Sequence, residues 1–222
     1  MLGEGKKVMM GLKPGLIKLT PEKRLYQYDR PIIALTGGIA TGKSTVSKLL
    51  QAKGLSIIDA DQLVKSIYAT QEAKDFIKTT VPEGISHNEI NFKKLRERFF
   101  QDKVIQEKVE KFIYQRLPDA FKRATAGISG QDFYLYDVPL LFERNLDQLV
   151  DMKVVVYAPR KLQLARLISR DGSEEAIGNK ILDQQIDIED KKEKADFVIN
   201  NTGSLAELTA GVEELLRQII NQ

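Results

Sequence analysis

Apolar positions along this 222-residue chain fall into short runs that alternate with stretches of helical spacing. Pro31-Ile32-Ile33-Ala34-Leu35-Thr36 is a compact apolar run and reads as a strand. A glycine-rich loop follows, then Val46, Leu49 and Leu50 at helical spacing, and Gly54 stops that helix. Leu55-Ser56-Ile57-Ile58 reads as a second strand ending at Asp59-Ala60-Asp61, which completes a βαβ start. From Gln62 to about Gly127 the pattern is helical, with stripes such as Phe92, Leu95 and Phe99, and no strand is expected there. Pro118 either kinks a helix or opens a new one in its first turn. His87, among Gly84, Ser86 and Asn88, reads as a surface turn residue.

The second half returns to strands. Phe133-Tyr134-Leu135-Tyr136 is a third run, closed by Asp137, and Val138-Pro139-Leu140-Leu141-Phe142-Glu143 leads away from it. Met152 to Tyr157 is a fourth, stopped by Ala158-Pro159. A helix from Arg160 carries Leu164, Leu167 and Ile168 on one face, and at about 100° per residue Arg166 and Arg170 fall together opposite them. Asp171-Gly172-Ser173 breaks that helix, and a polar helical stretch from Glu174 to about Lys194, with few apolar anchors, reads as a lid. Phe197-Val198-Ile199 is the last strand, ending in the turn Asn200-Asn201-Thr202-Gly203. Ser204 and Glu207 form a capping box for a terminal helix whose Leu208, Val212, Leu215, Leu216 and Ile219 face the sheet.

Composition narrows the class. No apolar run approaches the roughly 18 residues of a membrane span, and the head lacks the apolar stretch of a secretory signal. The chain has no cysteine and one histidine, so a disulfide framework, a thiolate metal site and a multi-histidine zinc site are excluded, and a reducing cytoplasm fits. The formal net charge of +3 is uneven: residues 1–30 hold seven basic and three acidic side chains, which leaves the remainder at −1. A near-neutral body with a basic arm is not a nucleic-acid footprint, and no nucleic acid is expected as a partner. Residues 1–29, aperiodic and punctuated by Gly and Pro, are expected to be a poorly packed extension.

The chemistry centres on Gly37-Gly38-Ile39-Ala40-Thr41-Gly42-Lys43-Ser44-Thr45, set between a strand and a helix. Gly37, Gly42, Lys43 and Ser44 fit G-x-x-x-x-G-K-[ST], a phosphate-binding loop in its required context. Backbone N–H groups approach phosphate oxygens where side chains are absent, and the helix N-terminus adds positive potential. Lys43 supplies charge for the β- and γ-phosphates and Ser44 a hydroxyl for Mg²⁺. Asp137, at a strand end, occupies the place of a Walker B acid that holds Mg²⁺ through water or Ser44, with a plain turn aspartate as the alternative. Asp61 either caps the helix beginning at Gln62 or points into the cleft. Arg166 and Arg170 suit phosphate charge or a solvated face, and Asn201 suits the nucleotide base or a plain turn. The expected architecture is an α/β P-loop NTPase-type parallel sheet flanked by helices. Its core is 30–61, 128–169 and 195–222, with a helical acceptor-binding insertion at 62–127 and a lid at 170–194. The GTPase signatures D-x-x-G and N-K-x-D do not occur, and the helical insertion with an arginine-bearing lid favours a small kinase that closes over its substrate.

ALTGGIATGKST at 34–45, IIDAD at 57–61, LRERFF at 95–100, DVPLLFE at 137–143, the arginines before Asp171, Gln185 and ADFVINNTG at 195–203 together resemble the dephospho-CoA kinase family, in the family's order. The resemblance implies transfer of the ATP γ-phosphoryl group to the ribose 3′-hydroxyl of dephospho-CoA, the last step of coenzyme A synthesis, with Mg²⁺. It implies that Asp61 orients and finally deprotonates that hydroxyl. An ordinary aspartate, pKa about 3.9, is a weak base for an alcohol, so orientation comes first and proton acceptance late. Lys43 then neutralises phosphate charge, Arg170 clamps the transferring group with Arg166 beside it, and Asn201 approaches adenine. Other nucleoside or small-molecule kinases, and a nucleotide-dependent binding protein, are the remaining classes. Two positions depart from the family pattern: the usual His-Pro pair reads here as Glu110-Lys111, and an often-arginine lid position reads as Lys180.

Overall fold

The computed structural model describes residues 10–172 and 174–221; residues 1–9 of the expected extension, and Ser173 in the helix break and lid, lie outside the described residues. The chain divides into two compact units, one of residues 1–58 and 128–222, the other of residues 59–127.

The first unit is built on a five-stranded sheet of order β2-β5-β1-β6-β7. Its strands are β1 (Ile32–Gly37), β2 (Ile57–Asp59), β5 (Tyr134–Asp137), β6 (Met152–Tyr157) and β7 (Phe197–Asn200). The pairs β1–β5, β1–β6 and β6–β7 are parallel. All six residues of β1 are buried, as expected of a central parallel strand covered on both faces. Helix α1 (Lys43–Ala52) and the terminal helix α10 (Leu205–Ile219) bury Val46, Leu50, Leu208, Val212, Leu215 and Ile219 with Leu35, Val154 and Ile199 of the sheet. α10 opens with the predicted capping box, Ser204 Oγ accepting the Glu207 N–H while the Glu207 carboxylate accepts the Ser204 N–H.

Between β6 and β7 lie α7 (Arg160–Asp171), α8 (Glu175–Leu182) and α9 (Ile188–Glu193). Gly172, at φ +64°, ends α7 in the left-handed region. The stretch expected to have few apolar anchors buries Leu182, Ile188 and the charged Lys191.

Residues 10–29 correct the expectation of a poorly packed extension. Met10 bridges Gln131, Leu12 bridges Ile220, and Leu12 and Leu25 are buried. Arg24, 3% exposed, donates Nε to Asp151 Oδ2 at 2.7 Å, and Asp151 also accepts the N–H groups of Lys18, Leu19 and Ile32. Lys18 pairs with Asp196 at 2.7 Å. Part of the basic charge of the arm is thus spent inside this unit. These attachments join residues far apart in sequence and follow no period, so local pattern cannot show them.

The second unit is helical: α2 (Ala60–Tyr68), α3 (Gln71–Thr80), α4 (Phe92–Gln101), α5 (Lys103–Tyr114) and α6 (Leu117–Thr125). Ile77, Val81, Leu95, Ile105 and Val109 form its core, with Phe76 stacked on Phe112 at 4.1 Å between ring centroids. Pro118 sits in the first turn of α6, the second of its two expected roles. Contrary to expectation the unit contains a small antiparallel hairpin, β3 (Ile85–Ser86) and β4 (Glu89–Ile90). His87 and Asn88, at φ +51° and +63°, make its two-residue turn, and strands this short leave no alternation to read.

Candidate active site

Parallel register places Gly37 beside Val156, Asp137 beside Leu35, and Asn200 beside Tyr157, so the carboxyl ends of β1, β5, β6 and β7 converge on the glycine-rich loop. Ligands of open α/β sheets gather at this end. The loop turns through Ala40 at φ +59° and Gly42 at φ +92°, and α1 begins at Lys43. The first-turn N–H groups of a helix have no carbonyl within it to bond, and they point at whatever lies before the N-terminus. At Gly37 a Cβ would stand 2.7 Å from the Val156 carbonyl oxygen, so the strand accepts no side chain there.

Lys43 Nζ pairs with Asp137 Oδ1, and Ser47 Oγ donates to Asp137 Oδ2 at 2.9 Å. Asp137 is 4% exposed and lies between the loop lysine and the second turn of α1. The hydroxyl on Asp137 is therefore that of Ser47, not Ser44; Ser44 lines the cavity in front of the loop. This cavity, about 400 Å³, is bounded by most of the loop together with Pro139, Arg166, Arg170 and Gln185. That is the size range of small-ligand sites.

Arg166 reaches the loop from α7, with Nη2 on the Asn201 carbonyl at 2.9 Å and Nη1 at 3.5 Å from the Ala40 and Thr41 carbonyls. Asn201 donates its side-chain amide to the Thr41 carbonyl at 2.7 Å, tying the end of β7 to the loop. Arg170 is more exposed and holds Asp171 through two bonds, Nε to Oδ1 at 2.7 Å and Nη2 to Oδ2 at 2.9 Å. The bond from Arg170 holds the Asp171 carboxyl below the usual range. Gln185 Oε1 accepts the Ile39 N–H at 2.8 Å. Apart from Thr45, at the start of α1, and the catalytic candidate Asp61, the residues expected from sequence for the nucleotide (Gly37 to Ser44, Arg166 and Asn201), for the metal (Ser44 and Asp137) and for catalysis (Lys43 and Arg170) meet around one loop.

Asp61 belongs to the helical unit and does not cap α2. Asp59 does, accepting the N–H groups of Asp61 and Gln62 at 2.8 and 3.1 Å, and Asp61 is the second residue of the helix. Capping falls to the acid one step ahead of the first turn. Sequence reasoning left two site residues without a role, Ser47 and Gln185. Ser47 stands four residues after Lys43, the spacing that puts both on one helix face, so its signal was present.

A strand, a glycine loop opening a helix, a loop lysine and a strand-end aspartate in contact define a P-loop nucleotide-binding core. The dephospho-CoA kinase family pattern matches residues 31–207. The dephospho-CoA kinase of Fusobacterium nucleatum subsp. nucleatum is 36% identical over 190 residues, 85% of this chain and 98% of its own length. That of Sulfurimonas denitrificans is 35% identical, covering 84% and 93%. Among solved structures, dephospho-CoA kinase from Campylobacter jejuni superposes with a TM-score of 0.63 at 27% identity, covering 84% of this chain and 96% of its own. TT1252 from Thermus thermophilus shares the fold, with a TM-score of 0.76 at 24% identity over 85% and 97%. The chain belongs to the dephospho-CoA kinase family.

Proposed function

We propose that this chain transfers the γ-phosphoryl group of ATP to the ribose 3′-hydroxyl of dephospho-CoA, giving ADP and CoA. The observation that carries the reading is the Lys43–Asp137 contact behind a glycine loop whose cavity also receives Arg166 and Arg170. Cations converging on one anion-sized loop suit a triphosphate, and the family supplies the acceptor.

In this reading the loop amides and Lys43 hold the β- and γ-phosphates in line with the acceptor oxygen. The bond from the γ-phosphorus to the bridging oxygen of ADP breaks as the bond to the 3′-oxygen forms, and Asp61 orients the hydroxyl and takes its proton late. Arg166, fixed on the loop, offers a preset charge, and Arg170 exchanges Asp171 for phosphate oxygens. A site of one carboxylate and one hydroxyl beside phosphates suits Mg²⁺, which keeps waters and few protein ligands. Ser44, which lines the cavity, and Asp137, on release of the oxygen now paired with Lys43, would hold it, and it would supply positive charge to the phosphates; among the described residues no cluster of three or more acids and histidines offers a richer site. Asn201 would approach adenine from the end of β7. A cytoplasmic setting belongs to the same reading; among the described residues no helix is long and apolar enough to cross a membrane.

The test is direct. Incubation with ATP, Mg²⁺ and dephospho-CoA is expected to yield CoA and ADP in equal amounts by mass spectrometry. Absence of CoA from a folded preparation that binds ATP overturns the acceptor assignment.

A further inference from the structure

Glu143 and Lys191 form an ion pair that the reaction described above does not use. Lys191 is fully buried in α9, and its Nζ lies 2.6 Å from Glu143 Oε1, in the turn that follows β5. The approach is close but outside hydrogen-bond angles, and Glu143 Oε2 is buried without a hydrogen-bond partner among the described residues. Burying two charges with this little hydrogen bonding costs stability that an apolar pair of the same shape would not. What the same carboxylate oxygen does in addition explains its place. Oε1 accepts the Ile186 N–H at 3.1 Å. The residue before it, Gln185, reaches the other way and accepts the Ile39 N–H of the phosphate loop at 2.8 Å.

Two consecutive residues past the exit of α8 are thus fixed at both ends, one to the loop and one to a carboxylate in the turn that follows the strand of Asp137. The buried lysine stands 2.6 Å from the oxygen that accepts the Ile186 N–H. We propose that Glu143 and Lys191 are positioning residues for the ATP site. They set the 185–186 backbone so that Gln185 occupies the Ile39 amide and fixes the turn at Ala40, leaving the later loop amides aimed at phosphate. Neither touches nucleotide: Lys191 has no exposed surface, and Glu143 does not line the loop cavity. The pair acts through Gln185 alone. The inference rests on the ATP-site reading but not on the identity of the acceptor.

The experiment compares the full chain with Glu143→Gln, Lys191→Met, the double variant of these, Gln185→Ala, and Gln185→Ala combined with Glu143→Gln. ATP affinity is measured by calorimetry without acceptor, and KM for ATP and for dephospho-CoA and kcat are measured separately. Each single charge removal leaves one ion buried alone and is expected to weaken ATP binding about tenfold, with the acceptor KM changed less than about twofold. The neutral double variant can keep the Ile186 bond through its glutamine oxygen and is expected to recover most of that affinity. Gln185→Ala is expected to lose ATP affinity by itself, and Glu143→Gln added to it to cost less than about twofold more. A fall in thermal midpoint with ATP affinity within twofold of the parent overturns the proposal. Should the single variants fail to fold, Gln185→Ala decides it: unchanged ATP affinity there overturns it equally. Failure to phosphorylate dephospho-CoA with ATP affinity following the expected order would count against the acceptor alone.

Discussion

Asn201 donates its side-chain amide to the Thr41 carbonyl across 2.7 Å and so fills the space that any side chain on Gly42 would need. Gly42 is doubly constrained, since its φ of +92° already disfavours other residues. Gly42→Ala is expected to lower ATP affinity at least about tenfold and to reduce the thermal midpoint. Gly42→Ala with Asn201→Ala relieves the collision but not the backbone strain, and calorimetry is expected to show partial recovery. Full recovery would mean that the torsion carries no cost.

Lys43 and Asp137 are expected to separate by their readouts. Lys43→Met removes the charge on the transferring group and should reduce kcat by roughly 10²–10³. Asp137→Asn keeps the shape beside Ser47 and should raise the Mg²⁺ concentration needed for half-maximal rate, measured by titration of the metal at saturating ATP. An unchanged Mg²⁺ dependence would remove Asp137 from the metal site.

Asp61→Asn tests the acceptor side. ATP affinity is expected to stay within about twofold of the parent while turnover falls by roughly 10²–10⁴, the range for loss of an acid–base group. Since Asp59, not Asp61, caps α2, the helix keeps its cap and the comparison is free of that cost. Turnover near the parent value would reject Asp61 as the base.

Arg24 and Asp151 predict an acid-sensitive stability. Burial pushes the Asp151 carboxyl up, but the Arg24 guanidinium and the Ile32 and Leu19 N–H groups outweigh it, and the net direction is down. A folded value below the unfolded one gives stability that is complete above the unfolded value, about pH 3.9, and disappears as pH falls through the folded value. Arg24→Met strands the carboxylate and is expected to cost about 3 kcal/mol at pH 7 by urea denaturation. The difference from the parent should shrink as pH falls below about 4.

The legible parts were those written in local pattern. The strand at Met152–Tyr157, the capping box at Ser204 and the loop from Gly37 to Thr45 are each specified within a few residues of themselves. The family was legible because its motifs recur in order along most of the chain. The two-residue strands around His87 were not, because no period fits in two residues. Nor was the burial of Arg24 and Lys191, whose partners lie 127 and 48 positions away, since a lone charged residue gives no sign of where its counter-ion will be. The roles of Ser47 and Gln185 fell between these cases: each has its residue type and spacing in view, but only the folded loop shows what they hold.

Residues 10–13 and 219–221 are fastened to one another: Leu12 bridges Ile220, the Lys13 N–H meets the Ile219 carbonyl at 2.8 Å, and the Asn221 N–H meets the Gly11 carbonyl at 2.8 Å. Synthesis is directional, and Leu12 is made 208 positions ahead of Ile220. This fastening therefore forms only after α10 has been made, and it closes a loop of chain that takes in every strand of the sheet.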